Sequence, residues 1–98
     1  MTVVQEQTNK SIIVADDDDL LRENIVEILV EAGYSVRAAS TGAEAQEQYE
    51  AEPADLVITD IFMPDMDGIE LVRAFFDSGE NIRLMAMSGH VGHVDYLE

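Results

Sequence analysis

The chain has 98 residues, the length of one small domain with a single core. Its 21 Asp and Glu residues against 5 Lys and Arg give a net charge of −16, so phosphate backbones and anionic lipid surfaces would repel it. The absence of cysteine excludes disulfides, thiolate catalysis and zinc–thiolate sites. Because the sequence has neither a membrane-spanning apolar run nor the apolar core of a signal peptide, we expect a soluble, cytoplasmic domain.

The first half of the chain predicts a strand, a helix, a strand and a helix. Residues 1–10 are expected to be a flexible lead-in, with one domain over residues 11–98. A run that is apolar on both faces, residues 12–15, is typical of a strand covered on both sides, as in a parallel sheet. The first helix has Asp18 and Asp19 at its start, Gly33 as its stop, and apolar residues at helical spacing: Leu21, Ile25, Ile28, Leu29 and Ala32.

The next strand alternates apolar and polar positions, with Tyr34, Val36 and Ala38 on one face, which predicts a half-exposed edge strand. Thr41 followed three residues later by Glu44 is a capping-box pattern for the second helix.

The second half repeats the alternation of strands and helices. Residues 56–59 form another doubly apolar run that ends in Asp60. The third helix has Val72, Phe75 and Phe76 as its apolar stripe, and residues 82–87 predict a fourth strand ending at Ser88. Short connections between alternating strands and helices favour an α/β fold with a parallel sheet and right-handed crossovers.

Polar side chains follow three of the predicted strands where those strands end. Asp16 and Asp17 follow the first, Asp60 the third and Ser88 the fourth. Open α/β sheets bind ligands beyond the carboxyl ends of their strands, so these residues mark the candidate site. Crowded carboxylates either take up protons or hold a cation, and Mg²⁺ prefers oxygen ligands of this kind. A carboxylate beside such an ion can also attack phosphorus.

Three segments carry a specific resemblance: SIIVADDDDLLRENI, DLVITDIFMPDMDGIELV and LMAMSG. In this order and spacing they resemble the receiver domain of two-component response regulators, from about residue 11 to the end of the chain. The resemblance implies a flavodoxin-like fold, a doubly wound parallel sheet with strand order 2-1-3-4-5.

The resemblance also implies the role of each site residue. Asp60 would accept a phosphoryl group from a phosphohistidine of a histidine kinase or phosphotransfer protein. Asp17 would bind Mg²⁺ directly, Asp16 largely through water, and the backbone carbonyl of Phe62 would complete the protein ligands. Ser88 would hydrogen-bond the phosphoryl group and transmit a switch to a protein-protein surface.

The sequence departs from the receiver pattern near its end. Receivers have a lysine that contacts the phosphoryl group at the end of a fifth strand, but the only lysine here is Lys10. A fifth strand and a fifth helix are missing, so we expect a fragment of a longer receiver rather than a natural degenerate one. The fourth strand would then be an open edge that favours self-association, and the stripe around Ile25, Ile28 and Leu29 would lose part of its cover.

Several alternatives remain open from the residues alone. A run of aspartates is often only a solvated helix start, and His90 with His93 could be half of a zinc site, although no third ligand is well spaced. A haloacid dehalogenase-type phosphatase would need a second aspartate two residues after the nucleophile, where Phe62 stands. A degenerate, non-phosphorylated acidic interaction module is the remaining alternative, and fluoroberyllate binding with Mg²⁺ would discriminate against it.

Overall fold

The computed structural model describes residues 10–61, 68–77 and 82–87, and the side chains of residues 68, 69 and 76 are outside this description. In this part of the chain, strands and helices alternate as the sequence predicts. The elements are β1 (Ser11–Ala15), α1 (Asp19–Glu31), β2 (Ser35–Ala39), α2 (Gly42–Ala51), β3 (Leu56–Asp60), α3 (Gly68–Asp77) and β4 (Leu84–Met87).

The four strands form one parallel sheet in the order β2-β1-β3-β4, which confirms the predicted flavodoxin-like arrangement for these strands. In the register, Val14 of β1 lies between Ala38 of β2 and Ile58 of β3. The strand order reverses between β1 and β3. The crevice at the carboxyl ends of these two strands is where such sheets bind their ligands.

The sheet separates two apolar clusters, because successive side chains of a strand point to opposite faces. On one face, Tyr49 of α2 and Phe75 of α3 meet edge to face, with ring centroids 5.0 Å apart. They pack with buried strand and helix residues: Ile13, Ala15, Ala39, Ala45, Val57 and Leu71. On the other face, α1 covers Ile12, Val14 and Ile58. Cover on both faces explains why the apolar residues of β1 and β3 follow one another without the alternation of a half-exposed strand.

The packing face of α1 differs from the predicted stripe. Ile25, Val26 and Leu29 pack against the sheet, but Ile28 is 65% exposed. This exposure fits the expectation that the stripe around Ile25, Ile28 and Leu29 loses part of its cover, whereas Val26 is a packing residue that the predicted stripe left out. The helix face centred between Ile25 and Val26 turns Ile28 away from the sheet, since consecutive helical residues are about 100° apart.

In two strands, too, the buried positions differ from those that the apolar pattern alone indicates. β2 is an edge strand as expected, but Ala39 rather than Ala38 is buried, because Ala39 packs into the cluster beneath α2. The apolar sequence of β4 is typical of a buried strand, yet Met85 is 52% exposed and Ala86 is exposed as well, which fits the open edge expected for this strand. Among the described strands, β4 has a neighbour only on its β3 side, so its apolar sequence is only partly covered.

The helix starts follow the sequence signals closely. The Asp18 carboxylate caps α1 by accepting a hydrogen bond from the Leu21 amide at 3.1 Å, and Thr41 caps α2 through the Glu44 amide at 3.0 Å. The Glu44 carboxylate accepts in return from the amide of Ser40 at 2.9 Å. In α3, Leu71 and Phe75 are buried; the predicted stripe included Phe75 but missed Leu71, and the side chain of Phe76 lies outside the described residues. No helix in the described part of the chain has the length and apolarity to cross a membrane.

Candidate functional site

The candidate site begins where β1 ends, at a fully buried aspartate. The amide of Asp16 donates to the carbonyl of Ala39 at 3.0 Å, which extends the β1–β2 pairing by one residue. Its Oδ1 accepts a hydrogen bond from the amide of Asp18 at 2.9 Å. The chain can therefore turn from β1 into α1 while the carboxyl group of Asp16 stays inside the fold.

Asp60 occupies the equivalent place at the end of β3. It is 4% exposed and lies opposite Met87 of β4 in the register. The next amide, that of Ile61, donates to the carbonyl of Met87 at 2.9 Å, and the Thr59 hydroxyl donates to the Asp60 carbonyl at 3.0 Å. The position of Asp60 is thus set by the neighbouring strand.

The topology brings the three aspartates of the sequence prediction together. One carboxylate oxygen each from Asp16, Asp17 and Asp60 lies within 4.8 Å of the others. Asp16 and Asp60 are buried and Asp17 is exposed, so this acidic cluster is enclosed by protein at Asp16 and Asp60 and is accessible to solvent at Asp17. Asp18 and Asp19 lie outside the cluster and serve the start of α1.

The electrostatics of the cluster are unfavourable without a cation. Burial raises the pKa of the Asp16 carboxyl above its ordinary value of 3.8; the hydrogen bond from the Asp18 amide opposes this rise, and the charges of Asp60 and Asp17 add to it. The buried Oδ2 of Asp16 accepts no hydrogen bond. A buried carboxylate oxygen without a donor, next to two more carboxylates, fits a hard divalent cation such as Mg²⁺.

One contact at the site was missed by the sequence analysis. Arg22 of α1 donates from Nη1 to the main-chain carbonyl of Asp16 at 2.7 Å and from Nη2 to Asp19 Oδ1 at 2.6 Å. The only signal in the sequence is an arginine six residues after Asp16, within the first turns of the following helix. Because Arg22 contacts a backbone oxygen, no pattern of residue types predicts this hydrogen bond.

Four residues of the sequence hypotheses, Phe62, Ser88, His90 and His93, lie outside the described residues. Their proposed parts in the site therefore stay predictions. Met87, the residue before Ser88, lies opposite Asp60 in the register of β3 and β4.

Comparison with known proteins identifies the family. The family model for the response regulator receiver domain matches residues 12–98. This chain belongs to the receiver domain family. Receiver domains of response regulators are signalling domains, so the haloacid dehalogenase alternative is wrong.

Individual relatives of this receiver domain agree in sequence and in fold. It is 41% identical to the response regulator receiver protein CpdR of Brucella abortus over 80 residues, which are 82% of this chain and 67% of CpdR. It is 34% identical to the response regulator MprA of Mycolicibacterium vanbaalenii over 79% of this chain, but spans only 33% of MprA. The solved structure of Thermotoga maritima TrrA in complex with Mg²⁺ and BeF matches with a TM-score of 0.78 and 32% identity, covering 83% of this chain and 70% of TrrA.

Proposed function

We propose that this receiver domain takes a phosphoryl group onto Asp60, with Mg²⁺ held by the acidic cluster. The observation that carries the proposal is the convergence of Asp16, Asp17 and Asp60, with Oδ2 of Asp16 buried and lacking a hydrogen bond. Such an arrangement costs free energy unless a cation compensates it. The complex of the relative TrrA with Mg²⁺ and BeF supports the same ligand chemistry.

Each residue has a distinct part in this proposal. Asp17, the exposed member of the cluster, binds the cation directly, and Asp16 acts on it largely through water. Asp60 and the backbone carbonyl of Phe62 complete the protein ligands. Bound there, Mg²⁺ would neutralise charge that develops on the phosphoryl oxygens.

The transfer step uses the carboxylate of Asp60 as nucleophile. One of its oxygens forms a bond to phosphorus while the bond from phosphorus to the phosphohistidine nitrogen breaks. The electron pair of that bond stays on the imidazole nitrogen of the donor. The hydroxyl of Ser88 then hydrogen-bonds a phosphoryl oxygen.

The domain acts in signalling by changing a protein-protein surface. Phosphorylation would shift a pre-existing equilibrium between two conformations toward the conformation that interacts more favourably with the phosphoryl group. A histidine kinase or a phosphotransfer protein supplies the phosphohistidine, so this chain is not an enzyme in its own right. Its cytoplasmic location and the boundary between residues 10 and 11 stay predictions from the sequence.

The proposal is tested with phosphoramidate, a small donor with a phosphorus–nitrogen bond, and intact-mass measurement. We expect Mg²⁺-dependent addition of one phosphoryl group, and its loss in Asp60→Asn. Asp18→Asn is the matched control, because it removes a neighbouring charge outside the cluster while asparagine caps a helix as well as aspartate does. Phosphorylation of Asp60→Asn to the wild-type extent would contradict the proposal.

A non-phosphorylated acidic interaction module is the second candidate. It is favoured by the net charge of −16, which gives the chain an acidic surface without any phosphoryl group. Fluoroberyllate binding in the presence of Mg²⁺ separates the two candidates, since only a working phosphoacceptor site should hold this phosphoryl analogue. Mg²⁺ binding without fluoroberyllate binding would favour the module.

A second copy of the chain is a further partner that we propose, through β4. β4 is an edge among the described strands and Met85 is 52% exposed, so its outer backbone groups can pair with another strand. The net charge of −16 opposes association, so salt should strengthen it. Light scattering at low and high salt should show a larger mass at high salt, reduced by Met85→Lys but not by Ile28→Lys on α1. A monomer at both salt concentrations would contradict this.

A further inference from the structure

We propose that Arg22 is a positioning residue for the acidic cluster: it fixes the peptide group that joins Asp16 to Asp17. Where this concerns Mg²⁺, it rests on the function proposed above. Nη1 of Arg22 lies 2.7 Å from the carbonyl oxygen of Asp16, and that carbonyl belongs to the peptide group between the two aspartates. Holding this oxygen sets the direction in which Asp17 leaves the end of β1.

The side chain of Arg22 is itself held in place. Arg22 shares the sheet-facing side of α1 with Ile25, Val26 and Leu29, at the i, i+3, i+4 and i+7 spacing of one helix face. Its side chain is only 16% exposed. The planar guanidinium then reaches two partners at once, which a lysine ammonium on a flexible stem does less well.

The two partners of Arg22 contribute differently. The side chain of Asp19 is 80% exposed, so the ion pair between Arg22 and Asp19 lies in water and is expected to contribute little. The contact with the Asp16 carbonyl is part-buried. We therefore assign the positioning role to the backbone contact and regard Asp19 as an outer support.

Arg22 completes a set of hydrogen bonds around Asp16. The amide of Asp16 donates to Ala39, Oδ1 accepts from the Asp18 amide, and the carbonyl oxygen accepts from Arg22. Oδ2 is left without a hydrogen bond. The backbone on both sides of the carboxyl group is therefore fixed, while one carboxylate oxygen stays available to a cation.

A positioning role and a purely electrostatic role predict opposite effects on cation binding. Removing a positive charge beside three carboxylates makes the local potential more negative, which by itself strengthens the binding of Mg²⁺. Releasing the peptide group between Asp16 and Asp17 disorders the ligands and weakens binding. Loss of a group that orients metal ligands typically lowers metal affinity about 10- to 100-fold. The sign of the change identifies the role.

The first measurement needs no metal. Hydrogen exchange of backbone amides is followed by NMR in the metal-free chain, for wild type and Arg22→Met, which keeps an unbranched stem but has no donors. We expect the Asp18 amide, which bonds Asp16 Oδ1, to exchange about tenfold faster in Arg22→Met. The amide of Val14 in the centre of β1 should keep its rate. A general loss of stability would accelerate both amides, and Asp19→Asn should accelerate neither.

The second measurement is a Mg²⁺ titration of the same variants. We expect Kd to rise about tenfold in Arg22→Met, to rise less in Arg22→Lys, and to stay within about twofold of wild type in Asp19→Asn. If only the positive charge of Arg22 affected binding, the Kd of Arg22→Lys for Mg²⁺ would equal that of the wild type. Arg22→Lys also serves as the test variant if Arg22→Met does not fold.

The outcomes separate this proposal from the proposed function. A wild-type chain that binds no Mg²⁺ would contradict the proposed function, and exchange at Asp18 would still decide whether Arg22 positions the turn. Exchange of the Asp18 amide at the wild-type rate in Arg22→Met and Arg22→Lys would overturn the proposal. Unchanged or tighter Mg²⁺ binding in a variant with faster exchange would overturn it as well.

Discussion

The central strands and β4 have similarly apolar sequences but very different surroundings. Ile13, Val14 and Val57 in β1 and β3 are completely buried, whereas Met85 in β4 is 52% exposed. β1 and β3 have a strand on each side and helices on both faces, while β4 borders only β3 among the described strands. An apolar run therefore predicts a strand reliably, but the place of that strand in the sheet decides how far it is buried.

The same comparison explains where the site is located. Asp16 and Asp60 extend from the two best-covered strands, so their backbone positions are fixed by pairing on both sides of the crevice. Catalytic and binding groups on rigid strands are held more precisely than groups on loops. β4 borders the site because Met87 lies opposite Asp60 in the register of β3 and β4. The two central strands are therefore connected at the site to a more exposed strand.

The largest effect should come from truncating a residue of the central pair. Ile13→Ala removes buried atoms and leaves a cavity, so we expect a loss of about 2–5 kcal/mol in the free energy of unfolding. Met85→Ala, the matched change in β4, should cost less than about 1 kcal/mol, because half of that side chain is already exposed. Urea denaturation measures both. Equal losses would mean that β4 is covered as fully as β1.

Neutralising the buried carboxyl at the end of β1 should stabilise the metal-free chain. Asp16→Asn can still accept from the Asp18 amide, and its NH₂ group replaces the oxygen that lacks a hydrogen bond. Relief of an unsatisfied buried group corresponds to about 1–3 kcal/mol at neutral pH. Thermal melting in a chelator checks this. With millimolar Mg²⁺ the gain should shrink or reverse, since ligand binding stabilises only the chain that binds it.

The pH dependence of that gain follows from the direction of the pKa shift. The pKa of Asp16 in the folded chain lies above the ordinary value of 3.8, so in the interval between the two values the folded state binds more protons than the unfolded state. The wild type therefore loses stability as pH rises through this interval, and Asp16→Asn does not. Melting curves in a chelator should show the two chains converge at low pH. A difference that grows toward low pH would contradict the sign.

A smaller effect is expected at the cap of α2. Thr41→Ala removes the acceptor for the Glu44 amide and should cost about 1 kcal/mol of unfolding free energy. The acidic cluster involves only β1, β3 and the turn after β1, so the Mg²⁺ affinity of Thr41→Ala should stay unchanged. Urea denaturation and a Mg²⁺ titration of the same sample test both statements. A weakened affinity would show that α2 also supports the site.

The sequence predicted the parts of the molecule that depend on local pattern. The strand ends at Asp16 and Asp60, the acidic start of α1 at Asp18, the cap residue Thr41 and the strand order all agree with the structure. The strand ends and helix starts follow from hydrophobic periodicity and from the chemistry of helix ends, which a single sequence displays. The strand order was implied by the resemblance to receiver domains.

The features that the sequence analysis missed depend on contacts between distant segments. Ile28 and Val26 are equally apolar, and only the angle at which α1 lies on the sheet decides which of them packs. The contact of Arg22 with a backbone carbonyl has no partner in the side-chain pattern. Periodicity defines the faces of an element, but the tertiary arrangement selects the face that is buried.

The edge-to-face pair of Tyr49 and Phe75 gives the chain an internal optical reporter. The sequence has no tryptophan, so its near-ultraviolet signal comes from three tyrosines and three phenylalanines. Tyr49 is 7% exposed and held against Phe75 at an interplanar angle of 60°, which fixes the ring in an asymmetric environment. Near-ultraviolet circular dichroism therefore reports the packing of α2 against α3 without a label, since this signal disappears when fixed tertiary contacts are lost. Because this layer involves neither Asp17 nor Asp60, the same signal can follow unfolding at any Mg²⁺ concentration.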